Sequence, residues 1–155
     1  MRHPSVAEVA PHSGPMCLLH EVVSHEPEET VCTVRVADSS LFAGADGTVP
    51  IWVGVEYMAQ CIAVHAGLLA RTRGEPPQPG LFLGSRRLAF RTQDLAGDRE
   101  LLVSARHFRG SGTGLQVFSC ALRPEADATP WIEGRLNVML LDRIDDVALL
   151  RRRVP

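Results

Sequence analysis

The sequence predicts an α+β fold in which one long central helix is wrapped by an antiparallel sheet of five to six strands. Two observations predict it: residues 50–73 have the periodicity of a single apolar helix, and the segments on both sides of them have strand character. The 155 residues are 45% hydrophobic, enough for one buried core. We therefore expect a single domain, residues 1–155, with about ten N-terminal and about twelve C-terminal residues peripheral to it.

The segments before the helix predict a β-hairpin. Residues 18–23 and 30–37 are apolar and β-branched, and the HEPEE sequence between them contains Pro27, a typical turn residue. A polar loop, residues 38–48, follows. Because proline is favoured at the first position of a helix, Pro50 predicts the helix start, with Thr48 or Asp46 as its N-cap.

The central helix is apolar on more than one face, which predicts that it is buried nearly all round. One stripe comprises Trp52, Val55, Ala59, Ile62, Ala63, Ala66 and Leu69. The opposite face carries Val53, Tyr57, Met58, Cys61 and Val64. Gly74 predicts the end of the helix, because glycine adopts the left-handed conformation common at helix C-termini.

Four further strands are predicted after the helix, at residues 81–91, 100–108, 115–123 and 131–141. The sequences AGD, GSGTG and PEADATP between them are typical of turns. A single apolar helix on such a sheet is typical of the hotdog arrangement. Since an open sheet has an edge strand that needs cover, we expect a homodimer, or a heterodimer with a similar chain.

Composition excludes several function classes. All 16 basic residues are arginine, which excludes every mechanism that uses a lysine, and a net charge of −2 argues against nucleic-acid binding. The arginines at positions 151–153 are interpreted as a solvated terminus. The four cysteines lack metal-site spacing and are expected to be buried, reduced thiols, with no metal. Without a signal sequence or an uninterrupted apolar span, we expect a cytoplasmic protein that does not contact the membrane.

Glu56 is the strongest candidate for a catalytic residue, because it lies inside an apolar stripe of the helix. Burial raises the pKa of a carboxyl group and so suits it to acid–base catalysis near neutral pH. The alternative is that Glu56 pairs with an arginine or reaches solvent. Gln60, one turn later, shares this face and is a candidate for holding the carboxylate or a substrate carbonyl.

Two further features are weaker candidates. The backbone N–H groups of residues 51–53, in the predicted first turn, are suited to binding a thioester carbonyl. His12 lies in a rigid PHSGP context that can aim its ring, although a turn role is the alternative. His3 and His25 are interpreted as surface residues, and nothing marks His20, His65 or His107 as reactive.

The segments APHSGPMCLLHEV, WVGVEYMAQ and LFLGSRRLAF, in this order, resemble the 3-hydroxyacyl-acyl-carrier-protein dehydratase family. Pro50, Glu56, Ala59 and Gln60 match its helix motif P-G-V-x-x-x-E-A-x-A-Q. The resemblance implies a hotdog fold and a substrate held as a thioester on the phosphopantetheine of acyl carrier protein or coenzyme A, with no further cofactor. It also implies that Glu56 helps the 3-hydroxyl leave as water and that the N–H of Ile51 holds the carbonyl.

One departure from the family pattern is important. The family carries its catalytic histidine in a G-H-F-P-G loop, but the corresponding loop here, LFAGADGTVP, has Phe42 in that place and no histidine. The sequence looks most like the variant branch found in aryl polyene biosynthesis clusters. His12 is then the candidate replacement base, and Gln60, Ile51, Pro50 and Trp52 are the candidate substrate-binding residues.

Three functions follow from these observations. The first is a dehydratase-like protein acting on 3-hydroxyacyl thioesters in fatty acid or polyene biosynthesis. The second, favoured by the missing loop histidine, is a non-catalytic partner of an active hotdog dehydratase. The third is an acyl thioesterase in which Glu56 activates water.

Overall fold

The computed structural model describes residues 3–112 and 114–141. Its helices and strands are α1 (Val6–Val9), β1 (Val22–Glu26), β2 (Glu29–Arg35), β3 (Val49–Pro50), α2 (Val53–Thr72), β4 (Gly80–Phe90), β5 (Asp94–Leu95), β6 (Glu100–Gly110), β7 (Leu115–Arg123) and β8 (Ile132–Leu140). Short 3₁₀ helices span Gly14–Met16 and Val36–Phe42. The arginines at positions 151–153 and the predicted peripheral C-terminus lie outside the described residues.

The described residues form the predicted α+β hotdog architecture. Six strands make one antiparallel sheet in the order β1-β2-β6-β7-β8-β4, and β3 pairs with β5 in a small second sheet. The helix α2 packs against the large sheet, and Tyr57, Met58 and Cys61 are fully buried between them. The four strands predicted after the helix are confirmed to within two residues at each end.

The helix begins three residues later than predicted. Pro50 lies in strand β3, and the N–H of Ile51 donates to the carbonyl of Gln93 at 2.9 Å, so this segment belongs to the small sheet. Trp52 occupies the N-cap position without a capping side chain. The prediction of Asp46 or Thr48 as N-cap is wrong, because the Asp46 carboxylate instead accepts hydrogen bonds from the backbone and hydroxyl of Thr48.

The helix is buried or half-buried all round, as predicted, since no residue from Val53 to Ala70 is exposed. Its sheet-facing side is inaccessible to solvent. In the predicted stripe Ile62 is buried, and Val55, Ala59, Ala63, Ala66 and Leu69 are half-buried. Trp52 at its start is 60% exposed. By length and composition α2 would be able to cross a membrane, since an 18-residue window of it has a mean hydropathy of 1.3. However, 67% of this window is buried within the domain.

The N-terminal residues are part of the core, which corrects the prediction that they are peripheral. Val6 and Val9 of α1 are buried against α2. At the contact Gly67 of α2 lies so close to α1 that an added Cβ atom would come within 2.0 Å of the carbonyl oxygen of Val9. This close approach fixes the position of α1 and thereby of the loop that follows it.

The N-terminal hairpin is confirmed with shifted boundaries. Pro27 lies in the turn, but β1 starts at Val22, and the preceding residues form irregular chain that still pairs through the bond from His20 N–H to the Thr33 carbonyl at 2.8 Å. The predicted polar loop begins as a 3₁₀ helix, Val36–Phe42. All four cysteines are free; three are buried, and Cys17 is half-buried.

Candidate functional site

Glu56, Gln60 and His12 meet on one side of α2. The Nε2 atom of Gln60 donates a hydrogen bond to Oε1 of Glu56 at 2.9 Å, as the one-turn spacing predicts. The Nε2 atom of His12 lies 3.8 Å from the same carboxylate oxygen. An imidazole and a carboxylate, the two groups that acid–base chemistry most often uses, therefore lie side by side within one chain.

Gln60 is the residue that ties the helix to the N-terminal loop. Its side chain is buried, its Oε1 accepts from the N–H of Leu18 at 3.0 Å, and its Nε2 also donates to the carbonyl of Met16 at 2.7 Å. These bonds satisfy buried backbone groups of Met16 and Leu18, which lie in the irregular chain before β1. The sequence indicated Gln60 as a partner of Glu56 but not as the anchor of the loop carrying His12.

The loop that carries His12 is further shaped by its glycine and prolines. Gly14 has a φ of +57°, a left-handed conformation that favours glycine, and Pro15 follows in the 3₁₀ helix Gly14–Met16. The Nδ1 atom of His12 is buried and has no hydrogen-bond partner among the described residues. The ring is thus positioned by packing and by its loop rather than by a second polar group.

A cavity of about 180 Å³ adjoins this group of residues, and we call it the proximal cavity. His12 and Glu56 lie in its wall together with Ala59, Ala63 and Leu81. The side chain of Glu56 is 38% exposed and that of His12 29%. The burial that the apolar stripe predicts for Glu56 is therefore only partial in this chain by itself, but its carboxylate does adjoin a cavity.

The residues predicted to bind substrate at the helix start are not arranged as the resemblance implies. The N–H of Ile51, which the resemblance assigns to the carbonyl, is already donated to Gln93, so the role assigned to Ile51 does not fit this structure. Trp52 contacts Phe42 edge-to-face at a ring distance of 6.3 Å. Neither Pro50, Ile51 nor Trp52 lies in the wall of the proximal cavity.

A second polar cluster was missed by the sequence analysis. The hydroxyl of Thr30 lies 2.8 Å from Nδ1 of His25 and 2.9 Å from Nδ1 of His65. Because a hydroxyl has one proton, Thr30 donates to one ring and accepts from the other. The interpretation of His25 as a surface residue is wrong: it is half-buried, and burial lowers its pKa.

His65 is the most strongly perturbed histidine in this cluster. Burial, together with the nearby His25 and His107, lowers the pKa of His65 from 6.5 to about 4, so its ring is neutral at physiological pH. The positions of these histidines on different elements gave no sequence signal, since only the pairing of β1 with β2 brings His25 opposite Thr30. No group of three or more metal-ligating side chains occurs among the described residues.

Replacing Gln60 with leucine is expected to destabilise the domain by about 2 kcal/mol, because the buried N–H of Leu18 then loses its acceptor. The loop with His12 should loosen at the same time. Gln60→Glu is the matched variant, since it keeps an acceptor for Leu18 but no donor for Met16 or Glu56. Chemical denaturation of the two variants checks this; a free energy of unfolding for Gln60→Leu equal to that of the parent would contradict the anchoring role.

Comparison with known proteins gives consistent results. A family model of the ApeP-like family, described as ApeP dehydratase, matches residues 4–149. The 3-hydroxyacyl-[acyl-carrier-protein] dehydratase FabZ of Ruminiclostridium cellulolyticum is 30% identical over 109 residues, which are 64% of this chain and 75% of that protein.

Solved structures of the same fold are also similar. A chain of the dehydratase heterocomplex ApeI:P from Xenorhabdus doucetiae is 25% identical, with a TM-score of 0.86, over 96% of this chain and 99% of that one. Thioesterase superfamily member 2 of the zebra fish is 18% identical, with a TM-score of 0.62, over 88% and 90% of the two chains. The second similarity is one of fold alone.

Proposed function

The chain belongs to the ApeP-like dehydratase family, and from this premise we propose that His12 and Glu56 together dehydrate a 3-hydroxyacyl thioester. The observation that carries the proposal is the pairing of an imidazole with a carboxylate, 3.8 Å apart, at the wall of a cavity. The substrate is an acyl chain of fatty acid or polyene biosynthesis, carried on the phosphopantetheine of acyl carrier protein or on coenzyme A. No cofactor beyond that carrier is needed.

The proposed reaction requires two proton transfers with the substrate and a third between the two side chains. The Nε2 atom of His12 takes the proton from C2, next to the thioester carbonyl, and the electron pair left there forms the C2–C3 double bond. The C3–O bond breaks, and the leaving hydroxide takes a proton from the Glu56 carboxyl group to become water. Because the two side chains adjoin, the proton on His12 then returns to Glu56 and restores both groups.

His12 thus takes the place of the loop histidine that the sequence lacks. Phe42, at that position, packs on Trp52 at the start of α2 and contributes no acid–base group. His12 instead approaches Glu56 from the N-terminal side, held through the bonds of Gln60 to residues 16 and 18. This substitution of one histidine by another from a different loop explains how the carboxylate retains an imidazole partner.

The alternative is that this chain supports an active partner subunit. It is favoured by the missing loop histidine and by the likeness to one chain of the ApeI:P heterocomplex. Purified chain, alone and mixed with a second hotdog subunit, is assayed for enoyl thioester formation. Turnover that disappears with His12→Gln supports catalysis by His12 and Glu56. That proposal is contradicted if the purified chain shows no turnover by itself and the mixture keeps its turnover when His12 is replaced. Release of free thiol would instead indicate a thioesterase.

Strand β4 is the proposed interface with the second hotdog subunit. It is an edge of the large sheet, eleven residues long, and it exposes Leu81, Phe82, Leu83 and Phe90. An exposed apolar edge strand presents unpaired backbone groups to any chain that can pair with it. The opposite edge, β1, is shorter and carries His25 and Glu26 at its end.

We expect Leu83→Asp to abolish assembly with the second subunit, because it places a charge in the middle of the apolar edge of β4. Val23→Asp is the matched control: Val23 is 49% exposed and Leu83 54%, but Val23 lies on the opposite edge. Size-exclusion chromatography with light scattering measures the mass of each variant complex. Loss of assembly with Val23→Asp and not with Leu83→Asp would show that the interface lies on β1, which contradicts the assignment to β4.

A further inference from the structure

The large sheet has a second face, on the side away from α2, and this face is rich in arginine. Leu122 and Ile132 lie within 3.0 Å of the position that a Cβ atom on Gly54 of α2 would take. The next residues along their strands, Arg123 and Glu133, therefore point to the opposite side of the sheet. Two open cavities of about 400 Å³ and 920 Å³ lie on that side and share Glu133 in their walls. We call the arginines in these walls the arginine face: Arg86, Arg87, Arg91, Arg106, Arg109, Arg123 and Arg135.

The arginine face concentrates positive charge. It holds seven of the 16 arginines of the chain, whereas the walls of the two cavities contain two carboxylates, those of Glu29 and Glu133. The difference is five positive charges on one face of a chain whose net charge is −2. Arg123 is half-buried, and the other six side chains are exposed. Such a local field attracts an oppositely charged partner.

The ion pairs already present on this face indicate which group it binds. Arg91 is paired with Glu133, and Arg106 with Glu29 at 2.8 Å. The other five arginines of the face form no ion pair among the described residues. A guanidinium group carries its N–H donors in a planar fork that matches the two oxygens of a carboxylate. The arginine face therefore has donors left for carboxylates of another molecule, while its own two glutamates are neutralised.

Phe108 is an exposed aromatic residue beside the arginine face. Its ring is 46% exposed, but the guanidinium carbon of Arg135 lies 3.8 Å from the ring centre and that of Arg109 5.6 Å. These cation–π contacts hold the two guanidinium groups over the ring. A ring that two cations cover is poorly suited to insertion into a lipid bilayer. The arrangement favours a partner that meets the face through polar contacts.

The strand register sets the spacing of the arginines. Arg106, Ser119 and Arg135 lie directly opposite one another on the neighbouring strands β6, β7 and β8. Strands lie about 4.8 Å apart, so the two arginines are about 10 Å apart at the backbone, close to the diameter of an α-helix. The cavity wall between them has small side chains, Ser104, Ser119 and Ala121. A helix or extended segment with carboxylates along both sides fits this spacing.

We propose that the arginine face docks an acidic segment of another protein through ion pairs between its guanidinium groups and carboxylates of that segment. A net charge of −2 disfavours a long polyanion such as a nucleic acid, because the rest of the chain repels it. The face stays exposed when a second subunit pairs with the edge of β4, because edge pairing extends a sheet within its own plane. It lies across the sheet from Glu56 of α2, so the inference is independent of the proposed function.

The test is fluorescence anisotropy with the purified full chain and a fluorescein-labelled peptide of glutamate and alanine. The peptide has about 20 residues and is about 30 Å long as a helix. Its counterpart with glutamine in place of glutamate is the uncharged control probe. We expect the glutamate peptide to bind at low ionic strength and to dissociate as salt is added, since salt screens exposed charges. The glutamine peptide should not bind.

Variants assign the binding to the arginine face. Arg135→Gln is expected to weaken binding of the glutamate peptide about threefold, the effect of one exposed ion pair, and a triple variant that also carries Arg87→Gln and Arg109→Gln at least about tenfold. Arg99→Gln is the matched control, because it removes the same charge from an exposed arginine outside both cavity walls. Dehydration of a 3-hydroxyacyl thioester of N-acetylcysteamine should stay parental in every variant, since none of these side chains lines the proximal cavity.

A labelled single-stranded oligodeoxynucleotide and vesicles of phosphatidylglycerol are the competing probes. Weaker binding of both than of the glutamate peptide supports a protein partner. Tighter binding of either one that is lost in the triple variant overturns the assignment to protein carboxylates. The inference is also overturned if the glutamate peptide does not bind, or if Arg99→Gln weakens its binding as much as the triple variant does. Each of these results leaves the proposed function intact, because dehydration is measured separately.

Discussion

Replacing Glu56 with glutamine is expected to lower kcat/KM for dehydration of a 3-hydroxyacyl thioester by about 10²- to 10⁴-fold, the usual contribution of a positioned acid or base. Glutamine has nearly the same shape, and its amide oxygen can still accept the hydrogen bond from Gln60. The fold should therefore be retained while the proton donor for the leaving hydroxyl is lost. The rate of enoyl thioester formation, measured by absorbance on the assembled complex, checks this result.

Glu100→Gln is the control for this substitution. Glu100 forms an exposed ion pair with Arg35 and does not line the proximal cavity, so its replacement should leave the rate unchanged. The thermal midpoint of Glu56→Gln should stay near that of the parent. A parental rate of dehydration in Glu56→Gln would remove Glu56 from the mechanism, and with it the role proposed for the proximal cavity.

The second large effect is expected on the stability of the folded protein at acidic pH. Because the pKa of His65 falls to about 4 in the folded protein and is near 6.5 in the unfolded chain, the unfolded state binds more protons between these values. The free energy of unfolding should therefore decrease as the pH falls from about 6.5 to about 4, by roughly 3 kcal/mol for this residue. Above pH 7 the contribution of His65 is constant. Urea denaturation at a series of pH values measures this slope.

His65→Gln should flatten this part of the pH profile, since it removes the titrating ring. His20→Gln is the matched control, because His20 makes no side-chain hydrogen bond among the described residues, and it should retain the parental slope. His25, whose pKa is also lowered by burial, contributes to the same slope. Replacing His25 is expected to reduce the slope less than replacing His65 does. An unchanged profile in His65→Gln would mean that protonation of another group limits stability in acid.

Periodicity and turn chemistry were sufficient to predict the architecture. The strands after the helix have strong alternation or apolar runs between clear turn residues, so their positions follow from local sequence. The start of the helix does not follow from local sequence, because Pro50 is equally compatible with a helix N-terminus and a short strand. Only the pairing of β3 with Asp94 and Leu95 decides between them. The burial of α1 was missed for the same reason, since it depends on the contact of Val9 with Gly67.

The candidate site was predictable only where its residues share one element. Glu56 and Gln60 are one helical turn apart, and their hydrogen bond follows from that spacing. The approach of His12 to Glu56 depends on a loop forty residues away in the chain, held by two bonds of Gln60. The histidine cluster around Thr30 likewise joins β1, β2 and α2, which no local pattern reveals.

Exchange of the C2 proton of a 3-hydroxyacyl thioester in deuterated water, followed by NMR, measures the base in this mechanism most directly. The comparison is between the parent complex and His12→Gln, with Glu100→Gln as control. If His12 removes the C2 proton, the combined rate of deuterium incorporation and dehydration should fall at least about 100-fold in His12→Gln. Deuterium incorporation at the parental rate in that variant would show that another group is the base and would contradict the pairing of His12 with Glu56 as the catalytic centre.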